Sequence, residues 1–246
     1  MSATSLVDAA GIQPAGATRV RVRDGRSTRR WVTAACMIIA PVAVAVVRAV
    51  IPYGGTPSEI LAGYLTPAYV YPILGIAEVA AVFTMAFAML GLGRLIQART
   101  PLLALIGTPL AALGWSMIAI LGTMDSVYYE LAKASHGGAI GPSLFVKFQA
   151  NSEIGMFVGL FILGHLVGTL LLGIGLLVSR RTPIWAAIAV IAGDVLHPFA
   201  FLVLGSHALD ALAYLIMGAG MAMAARAVLA TPNDEWDLAP GPAVRT

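Results

Sequence analysis

The run IGMFVGLFILGHLVGTLLLGIGLLVSRRTP, residues 154–183, decides the fold. Residues 154–178 hold no charged side chain and a single histidine, and the charge that ends the run comes as Arg180 and Arg181. About 20 apolar residues suffice to carry an α-helix across a bilayer. In hydrocarbon the backbone must satisfy its own hydrogen bonds, so such a run is read as a transmembrane helix.

The rest of the chain repeats this pattern. Hydrophobic residues make up 59% of the 246 and charged residues 11%. Five further apolar runs, with the first, place spans at 31–50, 72–97, 102–124, 154–178, 184–205 and 206–229. The expected fold is all-α, a polytopic membrane helical bundle of six transmembrane helices over residues 31–230.

Basic residues orient it. Arg19, Arg21, Arg23, Arg26, Arg29 and Arg30 precede the first span. Arg94 and Arg99 follow the second, Arg180 and Arg181 the fourth, and Arg226 and Arg245 the sixth. Twelve of the 15 basic residues therefore share one side, which the positive-inside rule makes cytoplasmic, together with both termini. Arg48, Lys133 and Lys147 fall on the other side, where Tyr53, Tyr64, Tyr69, Tyr71, Tyr128 and Tyr129 gather as interfacial anchors. Trp31 and Trp185 sit at inner ends. The formal charge of +3 thus reports topology and inner-leaflet lipid contact, and nucleic acid is not an expected partner.

Residues 1–30 and 231–246, rich in Ala, Gly, Pro and charge, read as flexible cytoplasmic tails. Arg29-Arg30 beside Ala43-Val44-Ala45 resembles a signal sequence, but removing the first span would break the charge alternation, so cleavage is not expected. Cys36 is the only cysteine, which leaves neither a disulfide nor a CxxC pair.

LGLGRLIQARTP (90–101) and LGIGLLVSRRTP (172–183) agree at seven of twelve positions, and the Gly-x-Gly-x5-Arg skeleton returns at Gly218, Gly220 and Arg226. Three repeated helical hairpins would explain this. Glycine packing and arginine snorkelling would explain it equally well. Gly155-x3-Gly159 and Gly164-x3-Gly168 read as packing faces.

GDVLHPFAFLVLGSHALD, residues 193–210, is the chemically dense stretch. Asp194 and His197 are three apart, as are His207 and Asp210, so each acid can face its imidazole on one helix surface. Pro198 leaves the Asp194 carbonyl without its helical donor. His165 at comparable depth, Thr169 below it, and Glu78 in the second span could join them. A carboxylate at a helix centre costs roughly 2.5–3.5 kcal/mol to insert. Glu78, Asp194 and Asp210 should therefore face inward, and Glu78 could pair with Arg48.

The candidate catalytic residues are Asp194, His197, His165, Asp210 and Glu78. A zinc or other transition-metal ion could draw on His165, Asp194, His197 and Asp210, though no HExxH or similar spacing supports it. Haem would need the His165 and His197 pair and is not expected. No cofactor is expected, and no Walker motif or Gly-x-Ser-x-Gly elbow occurs. On the outer side, Thr56, Pro57 and Glu59 have the spacing of a capped helix. Residues 125–153 read as a long link with two amphipathic pieces, serving as lid or interfacial anchor.

The run GHLVGTLLLGIGLLVSRRTPIWAA followed by an intramembrane DVLHP resembles a class of small six-span actinobacterial membrane proteins, over residues 160–200. The resemblance implies this fold and a bacterial inner membrane, and it carries no activity. Three readings of function follow. One is proton-, cation- or small-solute-linked transport through a polar site in the outer half of the bundle, as a homodimer. Another is an embedded enzyme using acid/base chemistry on a lipid or isoprenoid-like molecule. The third is a structural or accessory membrane protein.

Overall fold

The computed structural model describes residues 25–66, 71–135, 138 and 140–237, and every element among them is an α-helix. In chain order these are α1 (Arg26–Val50), α2 (Pro57–Tyr64), α3 (Tyr71–Ile96), α4 (Pro101–Ser116), α5 (Ile118–Ser135), α6 (Ile140–Gln149), α7 (Ser152–Ser179), α8 (Ile184–Leu202), α9 (His207–Ala230) and α10 (Asn233–Trp236). Six helical stretches are long and apolar enough to cross a membrane: α1, α3, α4 with α5, α7, α8 and α9. The chain is an all-α, polytopic membrane bundle, as its hydropathy requires.

The six spans form a closed ring in which α1, α3, α4, α7, α8 and α9 each pack on the next, and α9 returns to α1. One end of the ring carries Arg94, Arg99, Arg180 and Arg181 at helix termini and is here called the basic end. The opposite end is closed over by α2, the far half of α5, and α6, and is called the capped end.

Small residues set how closely the ring closes. A Cβ placed on Gly114 of α4 would lie 2.4 Å from the Gly164 carbonyl carbon of α7, and one on Gly168 would lie 2.3 Å from the Ala111 backbone nitrogen. Backbone meets backbone there, as expected for Gly164-x3-Gly168. The other pair differs. Gly155 and Gly159 face open space, and α7 buries no residue from 152 to 163. The capped-end half of α7 stands away from its neighbours, so Gly155-x3-Gly159 is not an internal packing face.

The recurrent Gly-x-Gly has a mechanical reason. Residues two apart point to nearly opposite sides of a helix, so each pair admits a neighbour on either side. Gly91 meets Thr33 of α1 while Gly93 meets Thr108 of α4; Gly173 meets Ile191 of α8 while Gly175 meets Ile96 of α3; Gly218 meets Pro41 of α1 while Gly220 meets Ala186 of α8. The partners are not cyclically equivalent. The motif serves packing, and the ring lacks a regular three-fold arrangement at these positions.

Three boundaries depart from the hydropathy reading. The third span does not stop at 124, because helix continues to Ser135 and the stretch is 35 residues long. At 1.5 Å per residue that is about 52 Å, well beyond the roughly 30 Å of hydrocarbon. The far half of α5 therefore projects into the cap. Residues 26–30, read as tail, are the first turn of α1. Residues 231–237, also read as tail, fold back onto the basic end: Arg26 pairs with Asp234 at 2.5 Å, Arg29 with Asp237 at 2.6 Å, and Trp236 is buried. Positions 1–24 and 238–246, including Arg19, Arg21, Arg23 and Arg245, lie outside the described residues, as does Tyr69.

The helix start at Thr56 is formed as its spacing predicts. Thr56 N donates to Glu59 Oε2 at 2.6 Å, and Glu59 N donates to Thr56 Oγ1 at 3.3 Å, a reciprocal capping box. Rather than lying free at an interface, α2 turns Leu61 and Tyr64 inward against Tyr128 of α5 and Phe145 of α6. This small apolar cluster is the cap's own core. The main core, with Met85, Met89, Leu172 and Met217 fully buried, fills the bundle toward the basic end. The candidate site lies between the two.

Candidate functional site

A cavity of about 460 Å³ separates the two cores. Its floor is aromatic. Phe161 stacks on His165 with ring centroids 4.1 Å apart, His165 lies 5.0 Å from Trp115 and 5.6 Å from His197, and His197 lies 4.8 Å from Tyr214. Trp115 is locked by its Nε1–H, which donates to Thr169 Oγ1 at 3.1 Å. The roof is Tyr64, Tyr128 and Phe145.

On one wall stands an ion-paired relay. Asp210, with no exposed surface, accepts from Arg48 Nε at 2.6 Å on Oδ2 and from His197 Nδ1 at 2.7 Å on Oδ1. Arg48 also lies over the Tyr53 and Phe201 rings, with centroids at 5.1 and 4.4 Å. A carboxylate oxygen accepts, so His197 Nδ1 carries a proton and donates it. In the neutral imidazole this leaves the lone pair on Nε2 of a cavity-lining histidine, the arrangement that makes it a proton acceptor.

His165 is oriented in the same sense by a different group. Its Nδ1 donates to the Phe161 carbonyl at 2.6 Å, and its buried Nε2 has no partner.

The opposite wall holds two carboxyl groups. Glu78 of α3 and Asp125 of α5 lie close enough for their side chains to interact, and Tyr64 Oη donates to Asp125 Oδ1 at 2.7 Å. Both acids line the cavity, and Gly122 gives Glu78 its room: a Cβ there would fall 3.1 Å from Glu78 Oε2. Two carboxylates at such range repel unless at least one carries a proton, which can then bridge them.

Several expected pairings are replaced. Asp194 does not bond His197, which turns instead to Asp210 on the next helix. Asp194 is buried at 1% exposure, does not line the cavity, and has Oδ1 unpartnered. His207 does not bond Asp210; its Nδ1 lies 3.3 Å from the Arg48 carbonyl and its ring 3.9 Å from that of Tyr53. Ser206 caps α9, its hydroxyl accepting from Leu209 N at 3.4 Å. Glu78 does not answer Arg48, because Arg48 is committed to Asp210.

Of the five candidate catalytic residues, Glu78, His165 and His197 line the cavity, Asp210 is bonded to the lining residues His197 and Arg48, and Asp194 is apart. Asp125 escaped the sequence reading because it follows directly on the last apolar residue of a run. The spacing of Asp125, Tyr128 and Ala132, one face of a continued helix, was the available signal.

The candidate metal set of His165, Asp194, His197 and Asp210 does not assemble. Among the described residues no group of three or more His, Cys, Asp or Glu side chains is placed to hold a metal ion. The two histidine rings lie against one another, with Trp115, Phe161 and Tyr214 around them, and a porphyrin between them would have to displace that aromatic floor.

One side of the cavity is apolar. Val158, Ile162 and Leu166 of α7 face Pro198, Phe201 and Leu202 of α8 along its edge, and Ile162 and Leu202 are 47% and 74% exposed on the apolar belt. These helices touch at Gly173 and Ile191 in the basic half. Comparison with known proteins finds no matching family model, no matching curated protein and no matching solved structure.

Proposed function

We propose that this integral membrane protein binds the polar end of a membrane-borne amphiphile in the capped-end cavity, and that His197 Nε2 accepts a proton there as a general base. The observation that carries this reading is the Arg48–Asp210–His197 relay standing on the wall of a cavity lined on one side by exposed apolar residues of α7 and α8. Unpartnered buried atoms support it: Arg48 Nη2, His165 Nε2, Glu78 Oε1, Tyr53 Oη and Tyr128 Oη all belong to lining residues. An unsatisfied buried polar atom costs about 1–3 kcal/mol, so five around one space call for a polar occupant or ordered water.

Transport through the bundle would need a route past the aromatic floor, below which Met85, Met89, Leu172 and Met217 close the middle. Entry from the bilayer needs none. The reading therefore favours binding and acid/base chemistry on a lipid-like molecule over movement of a solute across the membrane. The bias of basic residues supports a cytoplasmic basic end and termini, so that the cap faces outward, and the resemblance over residues 160–200 supports a bacterial inner membrane.

Native mass spectrometry of the full chain, purified in mild detergent, tests the reading. A retained amphiphile is expected in the wild type, and its loss from Leu166→Trp, which fills the apolar side of the cavity beside the loosely packed half of α7. Equal occupancy in a folded Leu166→Trp protein, or a bare wild type that takes up no added lipid, would overturn it.

A further inference from the structure

The relay's ion pair is electrically closed: Arg48 and Asp210 cancel. The pair across the cavity is not closed. With one proton between them, Glu78 and Asp125 leave one carboxylate ionised, and the only cation among the described residues that line the cavity is bonded to Asp210. A net charge buried at membrane depth is expensive unless a counter-charge reaches it.

The atoms that would meet such a counter-charge are in place. Glu78 is 9% exposed with Oε1 unpartnered, and Tyr128 is 4% exposed with its hydroxyl unpartnered. Aromatic faces complete the surroundings, with Tyr128 4.6 Å from Phe145 and 6.2 Å from Tyr64 by ring centroids. Acceptor oxygens backed by aromatic rings suit an ammonium group, which takes hydrogen bonds and cation–π attraction together. A hard inorganic divalent ion would want more oxygens than these.

We infer that the Glu78–Asp125 pair, with Tyr128 and Phe145, is a binding site for a protonated amine carried by the amphiphile's polar end. The assignment rests on the cavity being an amphiphile site and adds the charge of the head group. It places the amine on the α3–α5 wall, across the cavity from His197. The groups facing the pair are Tyr64 from α2, Tyr128 from α5 and Arg48 from α1, with His165 and His197 across the cavity.

Isothermal titration of the purified full-length chain in nonionic detergent with hexylamine, hexanol and hexanoate tests this. Hexylamine is expected to bind at least tenfold more tightly than hexanol near neutral pH, with hexanoate no better than hexanol. Lowering the pH adds a second proton to the pair and should erode the amine preference. Glu78→Gln or Asp125→Asn alone leaves one carboxylate and should retain part of the preference, whereas the double variant should abolish it. The double amide pair can still hydrogen-bond internally, which preserves the fold.

Equal binding of amine and alcohol overturns the assignment, as does tightest binding of hexanoate or an amine preference that survives in the double variant. If amine and alcohol bind alike and Leu166→Trp excludes both, the amphiphile site stands and only the ammonium assignment falls. If no probe binds, both fall.

Discussion

His197 Nδ1 and Asp210 Oδ1 meet at 2.7 Å across two helices, thirteen residues apart in the chain, while Arg48 holds the other oxygen of the same carboxylate at 2.6 Å. Breaking one partner of a buried ion pair leaves the other charge stranded and costs about 3–5 kcal/mol. Asp210→Asn should therefore lower the unfolding midpoint sharply in detergent, and Arg48→Met should do the same. The double variant removes both charges while leaving an amide oxygen for His197 Nδ1–H, so it should recover most of the loss. Thermal melts of the three variants test the coupling; additive losses would mean that the pair does not hold the two helices as described.

Asp194 provides the contrast. It is buried, has no ion pair among the described residues, and does not line the cavity. An amide of the same shape removes the potential charge without leaving a cation unpaired. Asp194→Asn should fold at wild-type yield, with an unchanged or raised melting temperature and unchanged amphiphile occupancy. A marked loss of yield would mean that the carboxyl has a partner essential to the bundle.

The glycine pairs on α7 should behave oppositely under one substitution. Gly164→Ala drives a methyl to 2.6 Å from the Gly114 Cα, so the helices must separate, and overpacking of this kind costs about 1–3 kcal/mol. Gly155→Ala and Gly159→Ala meet nothing within 4 Å. Relieved of glycine's backbone freedom, α7 should be unaffected or stabilised by up to about 1 kcal/mol at each. Melting temperatures of the three single variants decide it.

These contrasts show what a single sequence can and cannot carry. The six spans were legible because length and apolarity are properties of each run alone, and the Thr56 capping box because its partners are three residues apart. Glu78, His165 and His197 were legible as costly polar residues that must face inward. Their partners were not. Local spacing proposed Asp194 for His197 and His207 for Asp210, whereas the bonds run between helices, where ring order and rotation decide and neither is encoded locally. Asp125 was lost for a related reason: hydropathy marks where a helix leaves the membrane and not where it ends, and α5 continues well past that point.

The capping box makes a pH-dependent prediction outside the membrane spans. The Thr56 backbone N–H and then its hydroxyl hold the Glu59 carboxyl below the usual value of 4.5. A group whose folded value is depressed contributes stability that is full above its unfolded value and lost as pH falls through the folded one. The start of α2 should therefore loosen only in acid, below about pH 4.5. Amide exchange at Glu59 and Ile60, corrected for intrinsic rates, should accelerate there. Glu59→Gln keeps an acceptor for the Thr56 N–H but cannot titrate, so its α2 exchange should be independent of pH over the same range.

At the basic end the C-terminal segment is an integral part of the bundle. Arg94 Nε donates to the Trp236 carbonyl at 2.7 Å, Arg30 donates to the Leu229 carbonyl at 3.3 Å and to that of Thr231, and the Trp236 ring joins the main core. Removing a large buried aromatic side chain costs about 3–5 kcal/mol, whereas surface ion pairs such as Arg29 with Asp237 contribute about 0–1 kcal/mol. Trp236→Ala should thus destabilise the protein severely, and Asp237→Asn hardly at all. If Asp237→Asn proves the more damaging in thermal melts, charge rather than the buried indole holds this segment. The cavity lies at the far end of the bundle, beyond the main core. A Trp236→Ala protein that remains folded at low temperature should therefore keep its amphiphile in native mass spectrometry, which separates stability at the basic end from binding at the capped one.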